Sequence, residues 1–253
     1  MLPTTDQYEG MIAETISIVG AHGDRIHAYF ARPAGPGPFP GVVLLHHMPG
    51  WDEFYKEVTR KFAHHGYLAI APDLYCRNGH GTPDDVAALV RNAGGIPDDQ
   101  VVADAAAASA FLKALPTSNG KTASWGTCSG GRHALLAATR STAFDACCDL
   151  WGGNVVMKPE DLTENRPVAP IDYTESLNVP LLGLFGDLDR APTVEQVAQH
   201  EEALKKHGKD YEFHMYEGAN HGFFYYDRPP VYNAQAAVDG WVKVFDFLDR
   251  KIG

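Results

Sequence analysis

One cysteine stands between two glycines in the segment Gly126-Thr127-Cys128-Ser129-Gly130. A reactive side chain on a sharp turn between a strand and a helix needs small residues two positions before it and two after it, because larger neighbours would collide with the backbone. Gly126 and Gly130 meet that requirement. A cysteine at such a place would attack a carbonyl carbon as a thiolate, which the N-terminus of the following helix favours. A small buried hydrophobic cysteine is the alternative interpretation.

A histidine and an acid that could serve this cysteine follow later in the chain. His221 comes on a predicted loop after the last predicted strand. Around such turns the chain order is nucleophile, acid, base, so the acid should lie between Cys128 and His221. Asp187 and Asp189 both follow a predicted strand there. We favour Asp189, which lies shortly before Pro192, and interpret Asp187 as a residue that caps the loop.

The elements that must position these residues alternate between short β-rich runs and longer stretches with helical spacing. This alternation predicts an α/β fold, a mostly parallel central sheet of about eight strands flanked by helices. We expect a single domain over residues 1–253. The predicted strands are Glu14–Ala21, Arg25–Arg32, Gly41–His46, Tyr67–Ala71, Thr122–Trp125, Phe144–Leu150, Leu181–Phe185 and Tyr211–Tyr216. The predicted helices are Asp52–His65, Asp98–Leu115, Arg132–Thr139, Thr193–Lys206 and Ala234–Lys251.

Two segments lack a regular pattern, residues 78–95 and residues 152–178. Both follow predicted strands, and folds of this class build substrate-contacting loops at that place. We therefore predict that both segments are loops near the substrate.

Composition and charge narrow the class of protein. With 45% hydrophobic residues the chain can bury one large core, and its formal net charge of -11 argues against binding nucleic acid or an anionic membrane. No apolar run approaches the roughly 18 residues of a membrane-spanning helix. Asp6 and Glu9 stand where a secretion signal would carry basic residues, so we expect a cytoplasmic protein with reduced thiols.

Several of these segments resemble the dienelactone hydrolase (carboxymethylenebutenolidase) family of the α/β-hydrolase superfamily. The likeness covers the strand Gly41-Val42-Val43-Leu44-Leu45, the run from Gly66 to Tyr75, the cysteine turn, the segment from Gly186 to Pro192, and His221-Gly222-Phe223. The resemblance implies the α/β-hydrolase fold and a catalytic triad of Cys128, Asp189 and His221. It also implies hydrolysis of a small-molecule ester or lactone through an acyl-cysteine intermediate, without a metal or an organic cofactor. For that reaction we expect the backbone N–H groups of Met48 and Ser129 to hold the oxyanion.

Four residues are candidates for substrate binding. His47 falls where the family commonly has a glutamate that pairs with the resting nucleophile or its histidine. Tyr225 stands four residues after His221, where members that act on anionic dienelactones carry an arginine. Arg91 is the candidate for their second arginine. Trp51 and the aromatic run from Phe223 to Tyr226 suggest an apolar or aromatic ester, with packing against the closing helix as the alternative.

Two other functions remain as alternatives to a hydrolase. In the first, the fold binds or senses a ligand, and Cys128 grips it or responds to oxidation. In the second, His46 and His47 bind a metal ion together with His22, His27 or His80. Adjacent histidines on a strand point to opposite faces, which disfavours a metal site. We expect His64, His65, His80, His200 and His207 at the surface. We also expect a monomer or a homodimer.

Overall fold

A mostly parallel sheet runs through the computed structural model, which describes residues 10–253 and so leaves Asp6 and Glu9 outside the described residues. Its strands are β1 (Met11–Val19), β2 (Arg25–Pro33), β3 (Phe39–Leu45), β4 (Leu68–Pro72), β5 (Ser118–Thr127), β6 (Ala146–Leu150), β7 (Leu181–Gly186) and β8 (Tyr211–Tyr216). They lie in the order β1-β2-β4-β3-β5-β6-β7-β8. Only the β1–β2 and β2–β4 pairs are antiparallel. The predicted fold class is confirmed.

Helices cover both faces of this sheet. They are α1 (Glu53–His64), α2 (Pro83–Asn92), α3 (Asp98–Lys113), α4 (Ser129–Arg140), α5 (Val194–Lys206) and α6 (Ala234–Ile252). Side chains alternate along each strand, so Val42 and Leu44 of β3 pack on one side and Val43 and Leu45 on the other. Helices α1 and α6 bury their apolar residues on the first side, and α3 and α4 on the second. No helix within residues 10–253 has the length and apolar character needed to cross a bilayer.

One predicted loop is wrong, because residues 78–95 contain helix α2. Thr82 caps this helix by accepting a hydrogen bond from the Asp85 backbone N–H, and the Asp85 side chain accepts one from the Thr82 backbone. Pro83 occupies the first turn, where its missing N–H costs nothing. This capping box at Thr82-Pro83-Asp84-Asp85 is visible in the sequence and could have predicted the helix.

The candidate catalytic and oxyanion residues follow strands that end at one edge of the sheet. Met48 follows the carboxyl end of β3, Cys128 follows β5, Asp189 follows β7 and His221 follows β8. Because these four strands are parallel, their carboxyl ends share that edge. Segments far apart in the sequence therefore meet there.

Candidate active site

Cys128 sits on a strained turn between β5 and α4. Its backbone has φ 56° and ψ -125°, in a region that L residues rarely adopt, and the Cys128 N–H donates to the Leu150 carbonyl at 3.0 Å. A Cβ atom at Gly130 would collide with the carbonyl oxygen of Leu45, and a Cβ at Gly126 would collide with the carbonyl of Gly130. Both glycines are thus required by the close approach of neighbouring backbone.

His221 connects the cysteine to an acid. Its Nδ1 lies 2.9 Å from Oδ2 and 3.1 Å from Oδ1 of Asp189, whose side chain is almost fully buried. The Ala191 N–H donates to Asp189 Oδ1 at 2.8 Å and so fixes the carboxylate. Burial lowers the pKa of His221, but hydrogen bonds and charge from Asp189 and Cys128 outweigh it and raise that pKa to about 10. The arrangement suits a protonated His221 between the Asp189 carboxylate and Cys128.

Asp187, the other acid on this loop, points elsewhere. Its Oδ1 accepts a hydrogen bond from the Gly218 backbone N–H at 2.8 Å, which ties the loop after β7 to the loop after β8. Asp189 is therefore the carboxylate that the structure brings to His221, and Asp187 is placed as a loop cap.

A cleft of about 350 Å³ opens over the cysteine. Its lining combines the predicted catalytic residues with arginines and asparagines: Met48, Cys128, Ser129, Arg132, Gly153, Asn154, Arg166, Asp189, Arg190, Ala191, Asn220 and His221. A larger groove of about 490 Å³ between α1 and α6 contains none of these residues. The smaller cleft is the candidate active site, because the reactive groups are there.

Met48 and Ser129 both line this cleft, as the predicted oxyanion site requires. Ser129 begins α4, so its backbone N–H belongs to the unpaired first turn of the helix. Among the hydrogen bonds of residues 10–253, neither N–H donates to a protein acceptor. Two N–H groups are thus available beside Cys128 to a developing negative charge.

The four candidate substrate-binding residues lie outside the wall of the cleft. His47 and Tyr225 are buried, with His47 Nδ1 2.9 Å from the Tyr225 hydroxyl oxygen. Trp51 donates from its ring nitrogen to the Ala71 carbonyl at 2.9 Å. Arg91 is on α2, the helix that the sequence analysis missed.

Of the four aromatic residues from Phe223 to Tyr226, the first three belong to the core and Tyr226 is exposed, and none lines the cleft. Phe223, Phe224 and Tyr225 are almost fully buried, and Phe224 packs against Trp241 of α6 with ring centroids 5.0 Å apart. Packing against the closing helix is therefore the interpretation that the structure supports.

Sequence reasoning missed the arginines of the cleft. Both guanidinium ends of Arg132 are held by Asp98, at 2.6 and 2.9 Å. Arg166 differs, because its side chain has no hydrogen bond or ion pair among those found in residues 10–253, and its Nε is buried. Burial, and then the charge of Arg132, lower the pKa of Arg166. Arg166 lies in the irregular segment 152–178, and that location was the available signal.

The histidines require one correction and supply no metal site. His200 is buried against Phe213 of β8, with ring centroids 5.2 Å apart, so its predicted surface position is wrong. His200 stands three residues after Val197 and four before Leu204, the other buried residues of α5, and this helical spacing was the available signal. His46 uses both ring nitrogens, Nδ1 on the His47 carbonyl and Nε2 on the Leu74 N–H. Within residues 10–253 no three His, Cys, Asp or Glu side chains are grouped to hold a metal ion.

The sequence is similar to those of several known proteins. A model of the dienelactone hydrolase family matches residues 26–252. A protein of Methylorubrum extorquens with the name "Putative carboxymethylenebutenolidase" is 36% identical over 244 residues, 94% of this chain and 81% of that one. A Bradyrhizobium protein with the name "Probable 2-oxo-3-(5-oxofuran-2-ylidene)propanoate lactonase" is 27% identical over 94% of this chain and 96% of its own.

The solved structures agree as well. The crystal structure of "Putative Dienelactone Hydrolase" from Klebsiella pneumoniae superposes with a TM-score of 0.85 at 30% identity, and covers 94% of this chain and 98% of that one. The chain therefore belongs to the dienelactone hydrolase family of α/β-hydrolases, and it is a hydrolase.

Proposed function

We propose that the chain is a cysteine-dependent hydrolase of esters or lactones that carry a negative charge, and that it acts through an acyl-cysteine intermediate. One observation carries the proposal. His221 lies between the Asp189 carboxylate, at 2.9 Å, and the sulfur of Cys128 on its strained turn, at the bottom of an open cleft. A nucleophile next to a base that is itself oriented by an acid is the arrangement that acyl transfer uses.

Acylation begins when the Cys128 thiolate attacks the carbonyl carbon. A carbon–sulfur bond forms, and the carbonyl electron pair moves to the oxygen, where the backbone N–H groups of Met48 and Ser129 stabilise the oxyanion. The tetrahedral intermediate then collapses and breaks the carbon–oxygen bond. The leaving alkoxide takes the proton of the His221 imidazolium.

Deacylation returns the enzyme to its starting state. His221, now neutral, accepts a proton from a water molecule that attacks the thioester carbon. The second tetrahedral intermediate expels the Cys128 thiolate and releases a carboxylic acid. Asp189 stabilises the imidazolium at each stage. These steps need no metal and no organic cofactor.

The charge proposed for the substrate rests on Arg166. A guanidinium that is partly buried in a cleft without an anionic partner is costly, and it is stabilised when a ligand carboxylate fills that place. Arg190 adds positive charge to the same cleft, whereas Asp98 compensates the charge of Arg132. The printed name of the Bradyrhizobium relative describes a lactone that bears a propanoate group. An anionic ester or lactone thus fits better than the apolar or aromatic ester expected from Trp51 and the aromatic run from Phe223 to Tyr226.

We also propose the setting in which the enzyme works. All four cysteines are free thiols, which a reducing cytoplasm would preserve. A single domain, as a monomer or a homodimer, would act on a small molecule without nucleic acid or a membrane.

Trapping the intermediate tests the proposal. The enzyme is mixed with mono(4-nitrophenyl) succinate, quenched in acid within milliseconds, digested and examined by mass spectrometry. The expected result is a succinyl thioester on the peptide that contains Cys128. The mechanism would be contradicted if the ester is hydrolysed and the succinyl group is found on another residue. It would also be contradicted if the ester is hydrolysed and no succinyl adduct forms during the burst phase. A thiol that reacts with iodoacetamide while esters remain uncleaved would favour the ligand-binding or thiol-sensing alternative.

A further inference from the structure

Buried polar groups form a continuous chain directly beneath the cysteine turn. The imidazole of His47 lies 2.7 Å from Asp52 Oδ2 through Nε2 and 2.9 Å from the Tyr225 hydroxyl through Nδ1. The Tyr225 hydroxyl lies 2.9 Å from Thr127 Oγ1, which lies 2.9 Å from the Tyr55 hydroxyl. The Thr127 backbone N–H donates to that same Tyr55 oxygen at 3.0 Å. We call these five residues the elbow chain.

The protein buries four residues of the elbow chain almost completely, and Asp52 at its end is 18% exposed. Thr127 and Tyr55 have no exposed surface, His47 has 1% and Tyr225 has 3%. The cost of an unpaired polar group is high at such positions, so every donor and acceptor of the chain must be matched.

The direction of each hydrogen bond follows from the acid at one end. A carboxylate only accepts hydrogen bonds, so His47 donates to Asp52 from Nε2. Burial lowers the pKa of His47, which keeps the ring neutral and makes Nδ1 an acceptor for the Tyr225 hydroxyl proton. The Tyr225 oxygen is then free to accept from Thr127 Oγ1.

The remaining donors have one arrangement that satisfies them all. Thr127 Oγ1 accepts the proton of the Tyr55 hydroxyl, and the Tyr55 oxygen accepts the Thr127 backbone N–H. Each hydroxyl in the chain therefore donates once and accepts at least once. Because all bonds point toward Asp52, they polarise one another in the same sense.

Both ends of the chain are anchored on α1. Asp52 caps that helix by accepting the Tyr55 backbone N–H at Oδ1, 3.2 Å away, and Tyr55 is the residue at the other end. The chain thus joins the start of α1, the loop after β3 and the loop after β8 to Thr127. Thr127 immediately precedes Cys128, whose positive φ is a conformation that persists only where its surroundings hold it.

We propose that Tyr225 is a positioning residue that holds Thr127, and through Thr127 the strained Cys128, in the geometry that attack on the substrate requires. The inference rests on the proposed function of Cys128 and adds a role for residues that do not line the cleft. Loss of the Tyr225 hydroxyl leaves His47 Nδ1 without a donor and Thr127 Oγ1 without an acceptor. The turn is then free to relax, and small displacements of a reacting group are costly in rate.

The charges around the chain are consistent with this role. Burial, and then the negative charge of Cys128, raise the pKa of Tyr225, so its hydroxyl keeps the proton that the chain needs. Burial raises the pKa of Asp52, but the hydrogen bond from His47 outweighs it and lowers that pKa, so the carboxylate end stays ionised. The guanidinium of Arg228 lies over the Tyr225 ring and 3.9 Å from Asp52 Oδ2, which favours the same state.

Two variants test the proposal, and each removes one hydroxyl of the hydrogen bond between Tyr225 and Thr127. They are Tyr225→Phe and Thr127→Val. Each should lower kcat/KM by at least about tenfold while KM changes little, because the loss is in the placement of the nucleophile. Each should also slow alkylation of Cys128 by iodoacetamide and change its pH dependence, as followed on the Cys128 peptide. In the double variant the loss of kcat/KM should be no larger than in the more impaired single variant.

Matched controls separate positioning from general destabilisation. Thr127→Ser keeps the hydroxyl and should retain the wild-type alkylation profile. Tyr211→Phe removes a phenol hydroxyl that donates to Glu201 far from the turn, and should retain it too. The proposal is overturned if Tyr225→Phe and Thr127→Val both stay within about twofold of Tyr211→Phe in turnover and alkylation, or if their losses simply add.

Failure of the proposed function would look different. Alkylation of Cys128 requires no turnover, so it reports on the turn even in an enzyme that uses another nucleophile. Should Tyr225→Phe fail to fold, Thr127→Val tests the same hydrogen bond from its other end.

Discussion

His221 directs Nδ1 at both carboxylate oxygens of Asp189, at 2.9 and 3.1 Å, and leaves its other ring nitrogen for Cys128. This contact decides the protonation state of the site. A carboxylate so close favours the imidazolium, and with the cysteine it raises the pKa of His221 to about 10. His221 is therefore expected to stay protonated over the whole neutral range.

Replacing Asp189 by asparagine should show how this carboxylate sets the pH dependence of kcat/KM. In the wild type kcat/KM should fall as pH rises through about 10, because His221 then loses the proton that it donates to the leaving group. Asp189→Asn removes the charge that holds this proton, so the alkaline limb should move toward neutral pH and kcat/KM should drop by roughly 10²- to 10⁴-fold. A pH-stat assay with an unactivated ester measures both effects. An unmoved alkaline limb would mean that Asp189 does not set the pKa of His221.

The same raised pKa has a consequence for stability. The contribution of protonated His221 to the free energy of unfolding should be fully present below the ordinary histidine pKa of 6.5. It should disappear as pH rises from there through about 10. Urea unfolding across that range should show the loss in the wild type and a smaller loss in Asp189→Asn.

Asp187 provides the matched comparison for the acid. Its carboxylate accepts the Gly218 N–H and does not contact His221, so Asp187→Ala should keep kcat/KM within about threefold of the wild type. It should lower the free energy of unfolding by about 1 kcal/mol, the usual cost of a lost loop cap. Kinetics and urea titration of the two variants side by side would settle the assignment. The reverse ranking would make Asp187 the acid.

Arg166 should determine the preference for charged substrates. Arg166→Gln removes the charge of the unpaired guanidinium, so KM for mono(4-nitrophenyl) succinate should rise by roughly tenfold to a hundredfold. Hydrolysis of 4-nitrophenyl butyrate, which has a similar chain and no charge, should change little. Arg140→Gln, at an ion pair with Asp99 outside the cleft, serves as the control. Equal effects on the charged and the neutral ester would contradict a carboxylate site at Arg166.

Gly130 should tolerate no side chain. A Cβ there would collide with the Leu45 carbonyl, which is backbone and cannot swing away, so Gly130→Ala should cost more than about 3 kcal/mol of stability. Gly10→Ala meets only the Ala34 side chain, at 3.6 Å, and should change stability by less than about 1 kcal/mol. Thermal unfolding compares the two. A mild effect at Gly130 would mean that the turn has more room than the structure shows.

Local chemistry in the sequence was sufficient to predict the fold and the residues that the structure brings together. Glycines two positions before and two after Cys128 predict a tight turn. In the structure neighbouring backbone carbonyls approach both glycines closely. Predicted strand positions rested on short β-rich runs, and β3 is such a run, buried on both faces of the sheet. Asp189 and His221 could be named from their place after strands because parallel strands end at one edge.

The residues that line the cleft were harder to predict from the sequence, because they depend on how long loops fold. Arg166 lies in a segment without regular spacing, and nothing local indicates that its side chain enters the cleft. His47 and Tyr225 were expected at the substrate, yet they face inward and meet each other. Contacts between residues so far apart in sequence follow from tertiary packing and leave no trace in periodicity.

Turnover in Cys128→Ala is the most direct test of the central claim. The measurement is kcat/KM for mono(4-nitrophenyl) succinate, with Cys76→Ala as the control because Cys76 is a partly buried thiol outside the cleft. Cys128→Ala should lose at least about 10³-fold while Cys76→Ala stays near the wild type. Wild-type-like hydrolysis by correctly folded Cys128→Ala would contradict the cysteine mechanism.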